Sequence, residues 1–115
     1  MASFAEKMRS LLRGLTAATA DGRQNWTVTD RRHAYMTTVR GRQRLVIAAK
    51  DDDGLAPHML LIHDDEGELI DVFYGDDDGL HPGLMQDLYD HARRNASGVD
   101  QVLDDLLKAF PERDQ

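Results

Sequence analysis

Residues 45–73 read LVIAAKDDDGLAPHMLLIHDDEGELIDVF, and this stretch decides the fold. It holds three apolar runs, at 45–49, 58–62 and 69–73, and the intervals between them contain acidic residues followed by a glycine. Short runs rich in Val, Ile and Leu and bounded by turn residues are typical of β-strands. The intervals are too short to hold a crossover helix, so the neighbouring strands are predicted to be antiparallel.

Two further strands are predicted upstream of this stretch, because polar and apolar residues alternate there. Trp26 and Val28 alternate with threonines, and a second alternating run covers residues 35–39. A tight turn at 40–43 is predicted to lead from that run into the first apolar run. The pattern therefore predicts a five-stranded antiparallel meander over roughly 25–73.

The strands at 45–49 and 59–62 are apolar on both faces. An antiparallel strand with one face in water would alternate, so both faces of this sheet are predicted to be covered. Three helices could cover one face fully and part of the other. Whatever they leave bare is a candidate dimer surface.

Helical spacing is found on both sides of the predicted sheet. Ser3-x-x-Glu6 is a capping box, and the apolar residues that follow it predict a helix over 4–19. After the sheet, helices are predicted over 83–96 and 99–110, the last of them capped by Ser97 and the glycine after it.

The chain is thus predicted to be a single domain, residues 1–115, of the α+β class. A five-stranded antiparallel meander packs with one N-terminal and two C-terminal helices. The predicted core comprises Phe4, Leu11, Leu15, Trp26, Val28, Tyr35, Leu45, Ile47, Leu61, Leu88, Leu103, Leu106 and Phe110.

The charge of the chain is divided by position. Residues 1–50 carry ten bases and three acids, a net charge of +7, whereas residues 51–115 carry four bases and eighteen acids, a net charge of −14. Halves of opposite sign can attract each other within one chain or between two copies. The acidic half would repel phosphate, so nucleic-acid binding is not predicted, although Arg40, Arg42 and Arg44 share one strand face.

Composition also bears on location. The sequence has no cysteine, no apolar stretch near the ~20 residues of a membrane span and no basic-then-apolar leader, so a cytoplasmic protein without membrane contact is predicted. Arginines outnumber lysines eleven to three, a bias associated with GC-rich bacterial genomes.

Three acidic turns resemble a calcium-binding repeat at first sight. They are Asp51-Asp52-Asp53-Gly54, Asp64-Asp65-Glu66-Gly67 and Asp76-Asp77-Asp78-Gly79. A calcium loop needs a carboxylate five residues before its glycine, but Ala49, Ile62 and Tyr74 stand there. The turns are interpreted as structural, with glycine supplying a positive φ. The alternative is a divalent-metal site that supports hydrolysis and uses residues 51–53 and 76–78.

No constellation of residues indicates catalysis. His58 and His63 would point to opposite faces of one strand and could not share a metal ion. The sequence contains no phosphate-binding glycine motif and no zinc-protease motif. We therefore predict a protein that is not an enzyme and that has no catalytic, metal-binding or cofactor-binding residues.

Two classes of function remain open. The first is a protein-interaction module, acting as a homodimer or as an adaptor for another protein. The second is a small-molecule sensor or carrier with a pocket near Trp26 and Tyr35, although a lone Trp on a strand is more typical of a core residue. The apolar faces of the central strands favour the dimer, because a two-fold axis needs only one self-complementary patch.

Residues 26–107 also carry a resemblance. Its motifs are Trp26, Tyr35, the turn at Gly41, Ile62-His63-Asp64 with Gly67, Leu69-Ile70-Asp71, Leu88-Tyr89, Ala92-Arg93 and Asp104-Asp105-Leu106-Leu107. In this order they resemble a group of small bacterial domains with a helix, a strand meander and a Leu-Tyr-x-x-Ala-Arg helix followed by a short helix. The resemblance implies the same fold and no known activity.

Overall fold

The protein is described by a computed structural model that covers residues 3–51, 53–76 and 82–112. The elements are α1 (Phe4–Ala20), β1 (Thr27–Val28), β2 (Ala34–Val39), β3 (Gln43–Ala49), β4 (His58–His63), β5 (Leu69–Tyr74), α2 (Pro82–Ser97) and α3 (Val99–Ala109). In these residues the strands form one five-stranded antiparallel sheet in the order β1-β2-β3-β4-β5. The predicted α+β meander with one N-terminal and two C-terminal helices is confirmed. No helix in the described ranges is long and apolar enough to span a bilayer.

The helix ends follow local chemistry. The Glu6 backbone N–H donates to Ser3 Oγ at 3.1 Å, which confirms the predicted cap of α1. The prediction that Ser97 caps α3 is wrong. Ser97 is the last residue of α2, and its hydroxyl donates to the Arg94 carbonyl at 3.0 Å. The N-cap of α3 is Gly98, whose left-handed backbone (φ 70°) lets the chain change direction between two helices.

The register of the sheet fixes what each face carries. The turn between β2 and β3 has positive φ at Arg40 (55°) and Gly41 (69°), a geometry that matches the twist of a β-hairpin. Ile47 pairs with Leu60, and Leu60 pairs with Phe73, so these three side chains lie on one face. Because side chains alternate along a strand, their sequence neighbours lie on the other face.

Helices α1 and α2 pack together on that first face, which we call the helical face. Its core consists of Met8, Leu12, Leu15, Trp26, Leu45, Ile47, Leu60, Phe73, Met85, Leu88, Tyr89 and Ala92. Trp26, next to β1, hydrogen-bonds to both helices. Its indole N–H donates to Thr19 Oγ1 of α1 at 2.9 Å, and its backbone N–H donates to Asn95 Oδ1 of α2 at 2.6 Å. The hydrophobic core therefore lies between the helical face and these two helices.

The predicted core is partly wrong. Leu15, Trp26, Leu45, Ile47 and Leu88 are buried, as predicted, and Tyr35 and Leu61 are half-buried. Phe4, Leu11, Val28, Leu103, Leu106 and Phe110 are exposed. Helix α1 turns Met8, Leu12 and Leu15 inward instead of Phe4 and Leu11. Helix α3 buries no residue at all.

Candidate functional site

The second face of the sheet is apolar and carries no helix of the described residues. We call it the open face and define it by Ala34, Met36, Val46, Ala48, Met59, Leu61, Val72 and Tyr74. Its hydrophobic cluster contains side chains from strands alone, whereas the side chains of α1 and α2 pack on the helical face. The sheet surface that the helices leave uncovered was predicted to be a candidate dimer surface. In the described residues this surface is the open face.

A shallow groove of about 380 Å³ crosses the open face. Met36, Val46 and Leu61 form its floor, and Arg31 and His63 stand at its rim. The Nδ1 atom of His63 is buried and has no hydrogen-bond partner among the described residues. The groove thus combines apolar walls with a polar atom that a bound group could satisfy.

The charged residues of the open face are mostly basic, although Asp30, in the loop between β1 and β2, lines the groove beside Arg31. Arg44 alternates with Val46 along β3 and is exposed, and Lys50 Nζ lies 5.2 Å from the centroid of the Tyr74 ring. The one carboxylate within strands β2–β5, all of which the structure describes, is that of Asp71. Asp71 pairs with Ile62, whose side chain packs with the core of the helical face. The open face therefore favours a partner with acidic flanks.

Helix α3 presents a second apolar surface that has no partner in the described part of the chain. Five apolar residues at helical spacing form what we call the α3 stripe: Val102, Leu103, Leu106, Leu107 and Phe110, each between 48% and 76% exposed. The remaining sides of the helix carry Asp100, Asp104, Asp105 and Lys108. An apolar stripe beside polar residues is typical of a helix that packs one side against another surface.

The structure places Trp26 and Tyr35, the residues predicted to line a ligand pocket, in or against the core of the helical face. Trp26 is 3% exposed, and both of its N–H groups have acceptors within the protein. Tyr35 packs against Tyr89 with ring centroids 5.7 Å apart. Four clefts lined by described residues have other walls. The sensor hypothesis stays a prediction.

The acidic turns have the structural role that was predicted for them where the structure describes them. Asp64 Oδ1 accepts the backbone N–H groups of Glu66 and Glu68 at 2.9 and 3.0 Å. Gly54 and Gly67 have φ values of 78° and 86°, the left-handed conformation that glycine adopts without strain. No group of three acidic or histidine side chains within the described ranges could hold a metal ion. Asp52, Asp77, Asp78 and Gly79 lie outside those ranges.

Sequence reasoning missed one buried polar pair. His58, 3% exposed, stacks on Tyr89 with ring centroids 4.1 Å apart. Burial lowers the pKa of His58 below its ordinary value of 6.5, although a hydrogen bond to the backbone of Gly54 and the charges of Asp90 and Asp53 act to raise it. Burial, helped by the neighbouring Tyr35, raises the pKa of Tyr89 to about 12. The pair is thus neutral at physiological pH.

His58 and Tyr89 each leave one polar atom buried without a partner, namely His58 Nε2 and the Tyr89 hydroxyl. A cleft of about 260 Å³ adjoins His58. A neutral His stacked on a neutral Tyr can fill space and hold one hydrogen bond, but the pair includes no nucleophile and no second metal ligand. Two sequence features could have indicated that the pair is buried: His58 directly precedes an apolar run, and Tyr89 lies on the apolar side of α2.

Comparisons with models of protein families, with curated proteins and with solved structures find no match in any of the three.

Proposed function

We propose that this chain is a non-enzymatic protein-interaction module of the bacterial cytoplasm that works as a homodimer. The observation that carries the proposal is the open face, an apolar sheet surface without a covering helix in the described residues. Ala34, Ala48 and Met59 of this face are buried within the chain and its other five residues are half-buried. A partner would cover the apolar surface that these half-buried side chains still expose. A two-fold axis lets the same patch serve both copies.

The charge distribution supports a second copy as the partner. The open face carries Arg44 and Lys50, whereas α3 carries three aspartates and one lysine. The acidic α3 of a second copy can therefore bind the basic open face of the first, and the acidic α3 of the first can bind the basic open face of the second.

The placement of the polar residues supports a binding role over catalysis. His58 lies on the helical face and His63 on the open face, so the two imidazoles are separated by the sheet. Gly54 lies against His33, at one end of the sheet, whereas Asp65 lies 3.9 Å from Arg42 at the other end. The two imidazoles and the turns at the two ends of the sheet are thus not gathered into one cluster.

Light scattering after size-exclusion chromatography tests the proposal. We expect the wild-type protein to be a dimer at low salt and at about 1 M salt, because the apolar contact survives when the screening length falls to ~3 Å. Val46→Glu places a charge on the floor of the groove and should give a folded monomer. Leu55→Glu is the matched control, because Leu55 is exposed in the loop between β3 and β4. A wild-type monomer at both salt concentrations would end the proposal.

The rival hypothesis of metal-assisted hydrolysis has its own test. Calorimetric titration with magnesium, calcium and manganese should give no binding below millimolar concentration. Sub-millimolar binding that disappears in Asp51→Asn or Asp76→Asn would favour the metal site instead.

A further inference from the structure

We infer that α3 of one copy packs onto the open face of the other copy, and that the exchange is reciprocal. The inference rests on the proposed homodimer and names the segment that fills its binding surface. The result is an isologous dimer in which each protomer supplies one helix and receives one helix.

Helix α3 needs a covering surface. It has 11 residues, and isolated helices shorter than ~12–15 residues are marginally stable in water. Its ordered form therefore depends on packing, yet no residue of α3 is buried within the chain. Its main contact is with α2, next to the joint at Gly98. The side chains of the α3 stripe are 48–76% exposed and are therefore accessible to another molecule.

The chain cannot place α3 on its own open face. Helix α2 lies on the helical face and ends at Ser97, and Gly98 alone separates it from α3. One residue spans at most ~3.6 Å, whereas the layers that pack on a sheet lie ~10 Å from it on either side. The start of α3 is therefore held on the helical side of the sheet, and α3 of a second copy can cover the open face where α3 of the same chain does not.

The two surfaces fit in size. Helix α3 is about 16 Å long at ~1.5 Å per residue, and strands of six or seven residues extend about 20–23 Å. The groove on the open face, about 380 Å³ in volume and lined by Met36, Val46 and Leu61, offers apolar side chains to the α3 stripe.

The two surfaces also fit in charge. Asp104 and Asp105 lie beside the stripe on α3, and Arg44 and Lys50 lie beside the apolar centre of the open face. The fit combines apolar contact with opposite charges at the rim, as in other helix-in-groove complexes.

Disulfide trapping tests this arrangement directly, because the chain has no native cysteine. Val46→Cys on the open face is mixed at equal concentration with Leu106→Cys on the α3 stripe, allowed to exchange and then oxidised. Leu103→Cys, one turn away, is tried in parallel because a disulfide needs Cα atoms within about 7 Å. We expect a covalent heterodimer of the two variants as the main product. The control is Ser10→Cys, exposed on α1, which should give only background cross-linking with either partner.

The alternative products overturn the inference in different ways. A Leu106→Cys homodimer as the main product means that two α3 helices pair with each other. A Val46→Cys homodimer means that two open faces meet directly, so the helix exchange fails while the proposed homodimer stands. An intrachain disulfide in the Val46→Cys/Leu106→Cys double variant means that α3 reaches its own sheet. A monomer in light scattering at every concentration removes the proposed function itself.

Discussion

Replacing a leucine by alanine in α2 and in α3 tests two different contacts, the core within one chain and the proposed contact between two chains. Leu88 in α2 is fully buried, and Leu106 in α3 is 48% exposed. Both residues lie on helices and lose the same atoms on replacement by alanine. We expect Leu88→Ala to destabilise each protomer and Leu106→Ala to weaken the dimer.

The magnitudes follow from burial. Leu88→Ala removes packed atoms from the core and should cost about 2–5 kcal/mol of unfolding free energy. Full burial of a leucine contributes about 1.5–3 kcal/mol, so the half of Leu106 that is exposed in one chain is worth about 1 kcal/mol when a partner covers it. Two copies lose about 2 kcal/mol per dimer, which raises the dissociation constant about 30-fold.

Two measurements check these values. Urea unfolding at a tenfold range of protein concentration reports stability, and for a dimer the midpoint rises with concentration. Analytical ultracentrifugation reports the dissociation constant. A Leu106→Ala variant that remains a dimer with an unchanged dissociation constant would refute the packing of α3 on the partner. Gln101→Ala, on the polar side of α3, is the matched control and should leave the constant unchanged.

Three further predictions concern single residues. Below about pH 6.5 the wild-type protein should lose stability, because His58 takes up a proton in the unfolded chain that it resists when buried. The urea midpoint, measured between pH 5 and 8, should fall less steeply toward low pH in His58→Gln than in the wild type. An equally steep fall in both proteins would contradict this prediction. Trp26 should emit at short wavelength and resist quenching by iodide, and quenching equal to that of free tryptophan would contradict its burial. Asp64→Ala should cost about 1–3 kcal/mol of unfolding free energy, because it loses two hydrogen bonds that contribute about 0.5–1.5 kcal/mol each. Asp65→Ala loses only an exposed ion pair with Arg42 and should cost about 0–1 kcal/mol. Equal losses in thermal unfolding would refute the difference.

The strands, turns and helices could be predicted because their signals are local. Alternation around Thr37 and the apolar runs at 45–49 and 58–62 specify strands, and glycines such as Gly67 mark the turns between them. Each signal depends on residues a few positions apart, so one sequence is enough to read it. The predicted ends of α1 and α2 differ from the observed ends by one residue.

The position of α3 could not be predicted for a physical reason. Its apolar spacing is the same whether Leu103 and Leu106 pack on their own sheet or on another molecule, because an amphipathic pattern specifies a buried side and not the surface that buries it. The position of α3 depends on the single residue that separates it from α2. That residue restricts α3 only when α2 is known to pack on the helical face. The contact of His58 with Tyr89 was missed because it joins residues that are distant in sequence.

The order β1-β2-β3-β4-β5 has a consequence for how the chain folds. Every strand pairs with its neighbour in sequence, so the whole sheet can grow by closing short loops, a topology associated with fast folding. The contacts that span most of the chain join its two ends, and the bond from the Trp26 backbone to Asn95 is one of them. Closing so long a loop carries the larger entropic cost, so we expect α2 to dock after the hairpins have formed.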